Sequence, residues 1–465
     1  MQLEKTIMYI EQLYTNCLAE AAYYIESNGE VAIIDPIREW QPYTELAARR
    51  GAKIKYIFET HFHADFISGH IDLAKHTGAE IVFGPNAHTN YLTTTANDNQ
   101  EFRLGNICLK VLHTPGHTLE STSYLLLDET GNPHCVFTGD TLFVGDVGRP
   151  DLAVKSDLTM NDLAGMLFDS LQSKIKTLPD DVIVYPAHGA GSSCGKNIGK
   201  ETFSTIGVQK RTNYALLIED RTEFIKSVTD GLAAPPKYFF FDAKMNKEGY
   251  STNTGKVDVT PINARDFKAF SSQKEYLVLD TRNPDDFEKG FVPEAINIGL
   301  NGQFAIWVGT LIEPTQKLLL VTDLGKEQET VTRLARVGFD NIAGCLDGGI
   351  AAWANAEFQT QTIKSIEATE FVSQKNATVL DVRKASEWEN GVIENANLVE
   401  LQHLESQLQI VPAGKLYVHC AGGYRSMIAA SILKKNGFTD IVNVKGGFAK
   451  VKEAGMETVL PELAK

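Results

Sequence analysis

Thr60-His61-Phe62-His63-Ala64-Asp65-Phe66 decides how the first half of this 465-residue chain is read. Side chains alternate along an extended segment, so histidines two apart point the same way. His61, His63 and Asp65 can therefore face one cavity, in the H-x-H-x-D pattern of a metal site. A two-metal hydrolase carries a further histidine directly after the aspartate. This chain has Phe66 there, and a phenyl ring has no lone pair to give a cation. Two chemistries stay open: a pair of zinc ions splitting water, or one metal with free positions for redox work.

Working outward, further candidates follow runs with strand character. His117 comes after the Thr114-Pro115-Gly116 turn, Asp140 after Cys135–Gly139, and His188 after Pro186. The other expected strands are Val31–Asp35, Lys53–Glu59, Ile81–Gly84, Ile107–His113, Ser123–Leu127 and Val182–Tyr185, and a long helix is expected over Leu158–Leu178. Strand ends on a rigid sheet are where side chains converge into a site. A lone histidine is most often a packing or surface residue, but an ordered series of imidazoles and carboxylates is not explained that way. Such a set suits zinc, iron, manganese or nickel.

Composition bounds the partners. A net charge of −15 speaks against a nucleic-acid partner, which needs clustered Lys and Arg. No apolar run approaches the roughly 20 residues that span a bilayer. Met1-Gln2-Leu3-Glu4-Lys5 lacks the layout of a secretory signal, and six scattered cysteines read as reduced thiols. The expectation is a cytoplasmic protein with no membrane partner. At this length several domains are expected: 1–235, a linker over 236–257 after the break at Gly231–Pro236, then 258–362 and 363–465.

The last two domains repeat each other at about 100 residues. Val278-Leu279-Asp280-Thr281-Arg282 returns as Val379-Leu380-Asp381-Val382-Arg383, and Gly348-Gly349 as Gly446-Gly447. Each copy alternates buried-type strands with helices, the pattern of a small parallel-sheet α/β domain. In the second copy a strand over Leu416–His419 ends at Cys420, and a helix follows from about Ser426 to Asn436. A thiol at a helix N-terminus meets free N–H groups and the positive dipole end, which favour thiolate. Gly422 and Gly423 let the loop curl its amides into an anion cradle, and Arg425 adds a charge. Cys420 and Arg425 are thus the expected nucleophile and its cation. The first copy has Asp323 and Gln328 at those positions and has lost that chemistry.

His61-x-His63-x-Asp65, Pro115-Gly116-His117-Thr118, Thr138-Gly139-Asp140-Thr141 and Pro186-Ala187-His188-Gly189 resemble the metallo-β-lactamase superfamily, and within it the persulfide dioxygenases. The resemblance implies an αββα sandwich. It also implies one Fe(II) per chain on His61, His117 and Asp140, with His63, Asp65 and His188 beside it and not ligating. Two histidines and a carboxylate are the triad of non-haem iron oxygenases. Cys420 to Arg425, with four residues between them, resembles a rhodanese, whose cradle fits a sulfane sulfur. The whole is similar to persulfide dioxygenase–rhodanese fusions. It implies oxidation of a small thiol persulfide by O2 to sulfite, then sulfur transfer through Cys420 to give thiosulfate, in a homo-oligomer that detoxifies sulfide. Under that resemblance Arg149, in Gly148-Arg149-Pro150-Asp151, is either a turn residue or the fork for an acidic group of the thiol carrier. Cys194 is either a passive small residue or a sulfur relay. A glyoxalase II-like zinc thioester hydrolase and a non-enzymatic sulfur carrier or sensor are the alternatives.

Overall fold

The computed structural model describes residues 8–154, 157–232, 234–251 and 259–461. They form two compact units, one of Met1–Val257 with Leu334–Gly338, the other of Asp258–Arg333 with Phe339–Lys465. No described helix is long and apolar enough to cross a membrane.

In the first unit, one sheet holds in chain order β1 (Tyr9–Thr15), β2 (Glu20–Ser27), β3 (Glu30–Ile34), β4 (Lys53–Glu59), β5 (Glu80–Phe83) and β6 (Thr94–Thr95). The other holds β7 (Glu101–Leu104), β8 (Ile107–His113), β9 (Thr122–Leu127), β10 (Pro133–Gly139), β11 (Ile183–Pro186) and β12 (Ser204–Thr205), also as successive neighbours. The sheets meet face to face: Tyr23, Ile25, Ile34 and Phe58 pack with Leu109, Val111, Tyr124, Leu126 and Phe137. Leu125, one residue from Leu126, points the other way into a second core with Leu167, Leu171 and Phe224. That is the period of two expected of a strand buried on both faces. Helices Gln41–Arg50 and His70–Thr77 lie against β4, which completes an αββα sandwich.

Three elements differ from the sequence expectation. The helix over Leu158–Leu178 is α-helical only from Met160 to Ser170, where a Thr159–Asp162 capping box starts it. It then widens into a π turn, Leu171–Ile175, which keeps both of those apolar residues in the core. The hairpin of β1 and β2 was not expected, because its residues show no clean alternation. The span 236–257, expected as a linker, contains helix Tyr238–Glu248, and only its last part lies outside the described residues. Polar residues misled the reading there. Asp242 and Asn246 are buried, not solvated.

In the second unit two parallel five-stranded sheets have one topology. The first runs Pro261–Ile262, Ile342–Leu346, Lys317–Val321, Tyr276–Asp280, Ile296–Asn297. The second runs Lys364–Ile366, Ile441–Val444, Leu416–His419, Val379–Asp381, Asn397–Leu398. The Asp-x-Arg repeat has the same job in both. Arg282 pairs with Asp280 at 2.6 Å and caps the Gly290 carbonyl at 3.0 Å; Arg383 pairs with Asp381 at 2.6 Å and caps Gly391 at 2.9 Å. A buried guanidinium needs such filled valences, since an unpaired buried charge costs several kcal/mol, about 3–5 when one partner is removed.

Candidate metal centre and cysteine loop

Strand ends and one close turn assemble the metal centre. His61 follows β4, His117 follows β8, Asp140 follows β10 and His188 follows β11. His61, His117 and Asp140 bring one ligand atom each within 4.8 Å of the others, all buried. Asp140 Oδ2 lies 3.9 Å from His61 Nε2 and 3.4 Å from His117 Nε2. Each imidazole is oriented through its far nitrogen. His117 Nδ1 donates to the Arg149 carbonyl at 2.9 Å, and His188 Nδ1 to the Ala19 carbonyl at 3.1 Å. His61 Nδ1 sits 3.0 Å from Thr60 Oγ1, which donates to Asp35 at 2.8 Å. Metal-ligating histidines are held in this way, leaving Nε2 free. Nε2 of His61 and of His188 and both Asp140 oxygens, all buried, have no hydrogen-bond partner. Unsatisfied buried polar atoms are costly, so a cation on these residues fits the donor set.

His63 belongs elsewhere. Its Nε2 lies 3.1 Å from Asp35 Oδ1 and 3.9 Å from Glu59 Oε2. Burial opposes its charge, but the Asp35, Glu59 and Asp65 carboxylates outweigh it and push His63 up to about 10. It also groups with Asp65 and His188 within 4.8 Å, His188 Nε2 being 3.3 Å from Asp65 Oδ2. Phe66 is fully buried, its ring 4.3 Å from that of His63. Asp35 and Glu59 were missed in the sequence. Asp35 carried one signal, an acidic residue ending a β-branched run, and its φ of +49° is one that Asp tolerates.

The expected linker braces this loop. Asn246 donates to the His63 and Phe66 carbonyls, both at 2.8 Å, and accepts the Ser68 N–H at 2.9 Å. The same helix supplies Phe239, Phe240, Lys244 and Lys247 to a 230 Å³ cavity that also touches His117, Phe62 and Leu119.

Of the two readings of Arg149, a turn residue or the fork for an acidic group of the carrier, the structure shows a guanidinium bonded within its own turn. Asp151 already fills its fork at 2.6 and 2.7 Å, and the Ser193 carbonyl takes another N–H at 3.2 Å. Its backbone orients His117 instead. Gly148 permits this approach, because a Cβ there would lie 2.0 Å from the Asp140 carbonyl oxygen. Cys194 is buried beside the centre, its sulfur within 4.8 Å of ligand atoms of Asp140 and His188. Burial and the Asp65 and Asp140 carboxylates push this thiol well above its ordinary range.

In the second unit Cys420 is buried at the end of Leu416–His419, and helix Tyr424–Lys435 begins four residues later. The Gly423 N–H donates to its sulfur at 3.1 Å. Gly422 lies in the same loop and is exposed. Phe448 N–H holds the Cys420 carbonyl at 2.6 Å from behind. Arg425 is not a free cation: Glu387 grips it at 2.6 and 2.8 Å. Asp323 and Gln328, their counterparts in the other sheet domain, are exposed.

Comparison with known proteins agrees with this architecture. Residues 15–188 match the metallo-β-lactamase superfamily model, and residues 263–356 and 366–454 each match the rhodanese-like domain. A metallo-β-lactamase structure from Staphylococcus aureus subsp. aureus COL is 34% identical, with a TM-score of 0.66 over 74% of this chain and 99% of that one. ETHE1 from Myxococcus xanthus is 30% identical over 51% of this chain and 98% of its own, with a TM-score of 0.45. A probable hydroxyacylglutathione hydrolase of Schizosaccharomyces pombe is 30% identical over 38% of this chain. The chain spans 49–64% of the length of such curated relatives. With the αββα sandwich, its strand-end histidines and the two repeated sheets on the page, the chain belongs to the metallo-β-lactamase superfamily and carries tandem rhodanese-like domains after that domain.

Proposed function

We propose that the chain oxidises a low-molecular-weight thiol persulfide with O2 at one Fe(II), and that Cys420 then transfers sulfane sulfur to the sulfite formed. The observation that carries this reading is the buried set of His61, His117 and Asp140, one carboxylate and two imidazoles, beside an apolar cavity. Three protein ligands leave about three octahedral positions open. When bound there, iron supplies O2 activation and a seat for the substrate sulfur. The chain's own residues do the rest. Thr60 and the Arg149 carbonyl fix the imidazoles, the buried walls exclude water, and Phe239, Phe240, Lys244 and Lys247 offer the carrier an apolar lining with a cationic rim.

The overall step takes persulfide, O2 and water to thiol, sulfite and two protons; the terminal sulfur is oxidised and O2 is reduced. In the second step Cys420 Sγ attacks a sulfane sulfur and expels the carrier thiol, covalent catalysis in two halves. Sulfite then attacks the outer sulfur, forming thiosulfate and returning the thiolate, which the Gly423 N–H stabilises. Sulfide detoxification in the cytosol is the role this serves.

Metal analysis and oxygen electrode measurements test it. About one iron per chain and persulfide-dependent O2 uptake are expected. Cys420→Ser should leave uptake intact and shift the product from thiosulfate to sulfite, whereas His61→Ala should abolish uptake. Uptake lost with Cys420→Ser, or kept with His61→Ala, overturns this division of labour. A second reading, zinc-dependent thioester hydrolysis, is favoured by the hydroxyacylglutathione hydrolase names of the curated relatives. Two zincs per chain with turnover of a glutathione thioester would establish it instead. A sulfur carrier without catalysis would show neither activity.

A further inference from the structure

The sheet domain without a loop cysteine grips the cysteine loop of the other, both lying in the second compact unit. Tyr424 opens helix Tyr424–Lys435 directly after Gly423, and its hydroxyl donates to the Gly299 carbonyl at 2.7 Å. Burial raises that hydroxyl against the pull of the Arg333 charge, so it donates as a neutral group. Gly302 lies under the ring: a Cβ there would sit 2.6 Å from Tyr424 Cε2 and 2.7 Å from Cζ. Its φ is not positive, so the backbone would accept a side chain and only the ring refuses one. Arg333 Nη1 donates to the Leu300 carbonyl at 2.8 Å and pins the turn between the two glycines. The ladders show how this place differs between the copies. Ile296 pairs with Leu279 as Asn397 pairs with Leu380, which sets Gly299 where the cysteine domain has Glu400. Glu400 uses its carboxylate on the Ala385 N–H of its own domain. The copy that lost its cysteine has a socket instead.

What the socket holds is Gly423. That residue aims its N–H at Cys420 Sγ from 3.1 Å, at a φ of +103°. Glycine is the least restrained residue, so the chain beside it must supply the aim. On one side that chain is Tyr424. On the other, Lys445 Nζ pairs with Asp285 at 2.8 Å and Glu288 at 2.9 Å, again in the cysteine-free domain. Partly exposed ion pairs contribute little, so the seated ring and not Lys445 governs the loop. We propose that Tyr424 is a positioning residue: held between Gly299 and Gly302, it fixes the Gly423 N–H on Cys420 Sγ. The domain that lacks a nucleophile is thereby a working part of sulfur transfer at the other. The inference rests on the reading of Cys420 as the sulfur carrier.

Two measurements on the full-length protein test it: anaerobic thiosulfate formation from glutathione persulfide and sulfite, and hydrogen exchange of the peptide carrying Cys420–Arg425. Tyr424→Phe should lower kcat about 2–10-fold, the range of one lost hydrogen bond, with the KM for sulfite unchanged and exchange in the loop faster. Gly302→Ala, a change in the other domain, should do the same by displacing the ring. With Tyr424→Ala in place, Gly302→Ala should lower kcat no further, because the ring it meets is gone. A parental kcat in Tyr424→Phe, a loss confined to KM, or full additivity of Gly302→Ala with Tyr424→Ala overturns the proposal. Should Gly302→Ala melt early, Tyr424→Phe decides, since it removes a single oxygen. A parent protein that transfers no sulfur defeats the carrier reading. The socket is then judged by exchange, and a loop as protected in Tyr424→Phe as in the parent overturns it.

Discussion

Asn246 bears more of the metal loop than a polar residue outside any sequence motif suggests. Its amide satisfies two carbonyls and one N–H of the loop, and it is fully enclosed. Asn246→Ala strands three backbone groups, at about 1–3 kcal/mol each if left unmet. A fall in stability of about 2–4 kcal/mol and a 10–100-fold loss of metal affinity are expected, read by denaturant titration and dialysis. Asn246→Asp should not rescue, because a carboxylate cannot donate to the His63 and Phe66 carbonyls. The two histidines of the motif separate just as clearly. His61→Gln should strip the metal, whereas His63→Gln should keep it and lose stability, since Asp35 and Glu59 face His63 and not the first donor set. Equal metal loss in both variants would refute that distinction.

The cysteine loop is held by the element behind it. Gly447 adopts φ +60°, and a Cβ there would lie 2.4 Å from the Cys420 carbonyl oxygen. Gly447→Ala pays about 1 kcal/mol or more for the left-handed backbone alone and must also displace the loop. Sulfurtransfer should drop by at least tenfold while O2 uptake is unchanged; equal loss of both would point to global unfolding. The Arg425–Glu387 pair sets a pH dependence. Burial would raise the Glu387 carboxyl, but the Arg425 fork and the Lys384 N–H outweigh it and hold it below its ordinary value. The pair's stabilisation is therefore complete above the unfolded carboxylate pKa, about 4.3, and is lost as pH falls through the lower folded value. Partial exposure keeps it to about 1 kcal/mol or less. Thermal melts of Glu387→Gln and the parent should differ at neutral pH and converge below about pH 4.

For the whole molecule, two compact units predict two calorimetric transitions. A ligand that binds only the folded state stabilises it by about 4 kcal/mol at a thousand times its Kd. Chelation should therefore lower the transition of the unit containing His61 and leave the unit containing Cys420 unmoved; a uniform shift would contradict the assignment. The order of His61, His117, Asp140 and His188, the repeat of Asp280-x-Arg282 and the Cys420 loop were legible because each lies in a local pattern: alternation in a strand, a turn, a strand meeting a helix. Local pattern reaches no further. A break at Gly231–Pro236 and the polar stretch that opens at Asn246 marked 236–257 as a linker, yet Asn246 is buried because its partners lie about 180 residues away. Arg149 read as a turn residue or a carrier fork and Arg425 as the cation of the cysteine loop; the fold places Asp151 and Glu387 on them. The chain by itself thus determined which chemical groups exist and in what order they meet the sheet ends. Only the tertiary structure decided which of them face one another, because a buried polar group takes its role from the partner that fills its valence, and Cys194 beside Asp140 and His188 is a pairing that no spacing encodes.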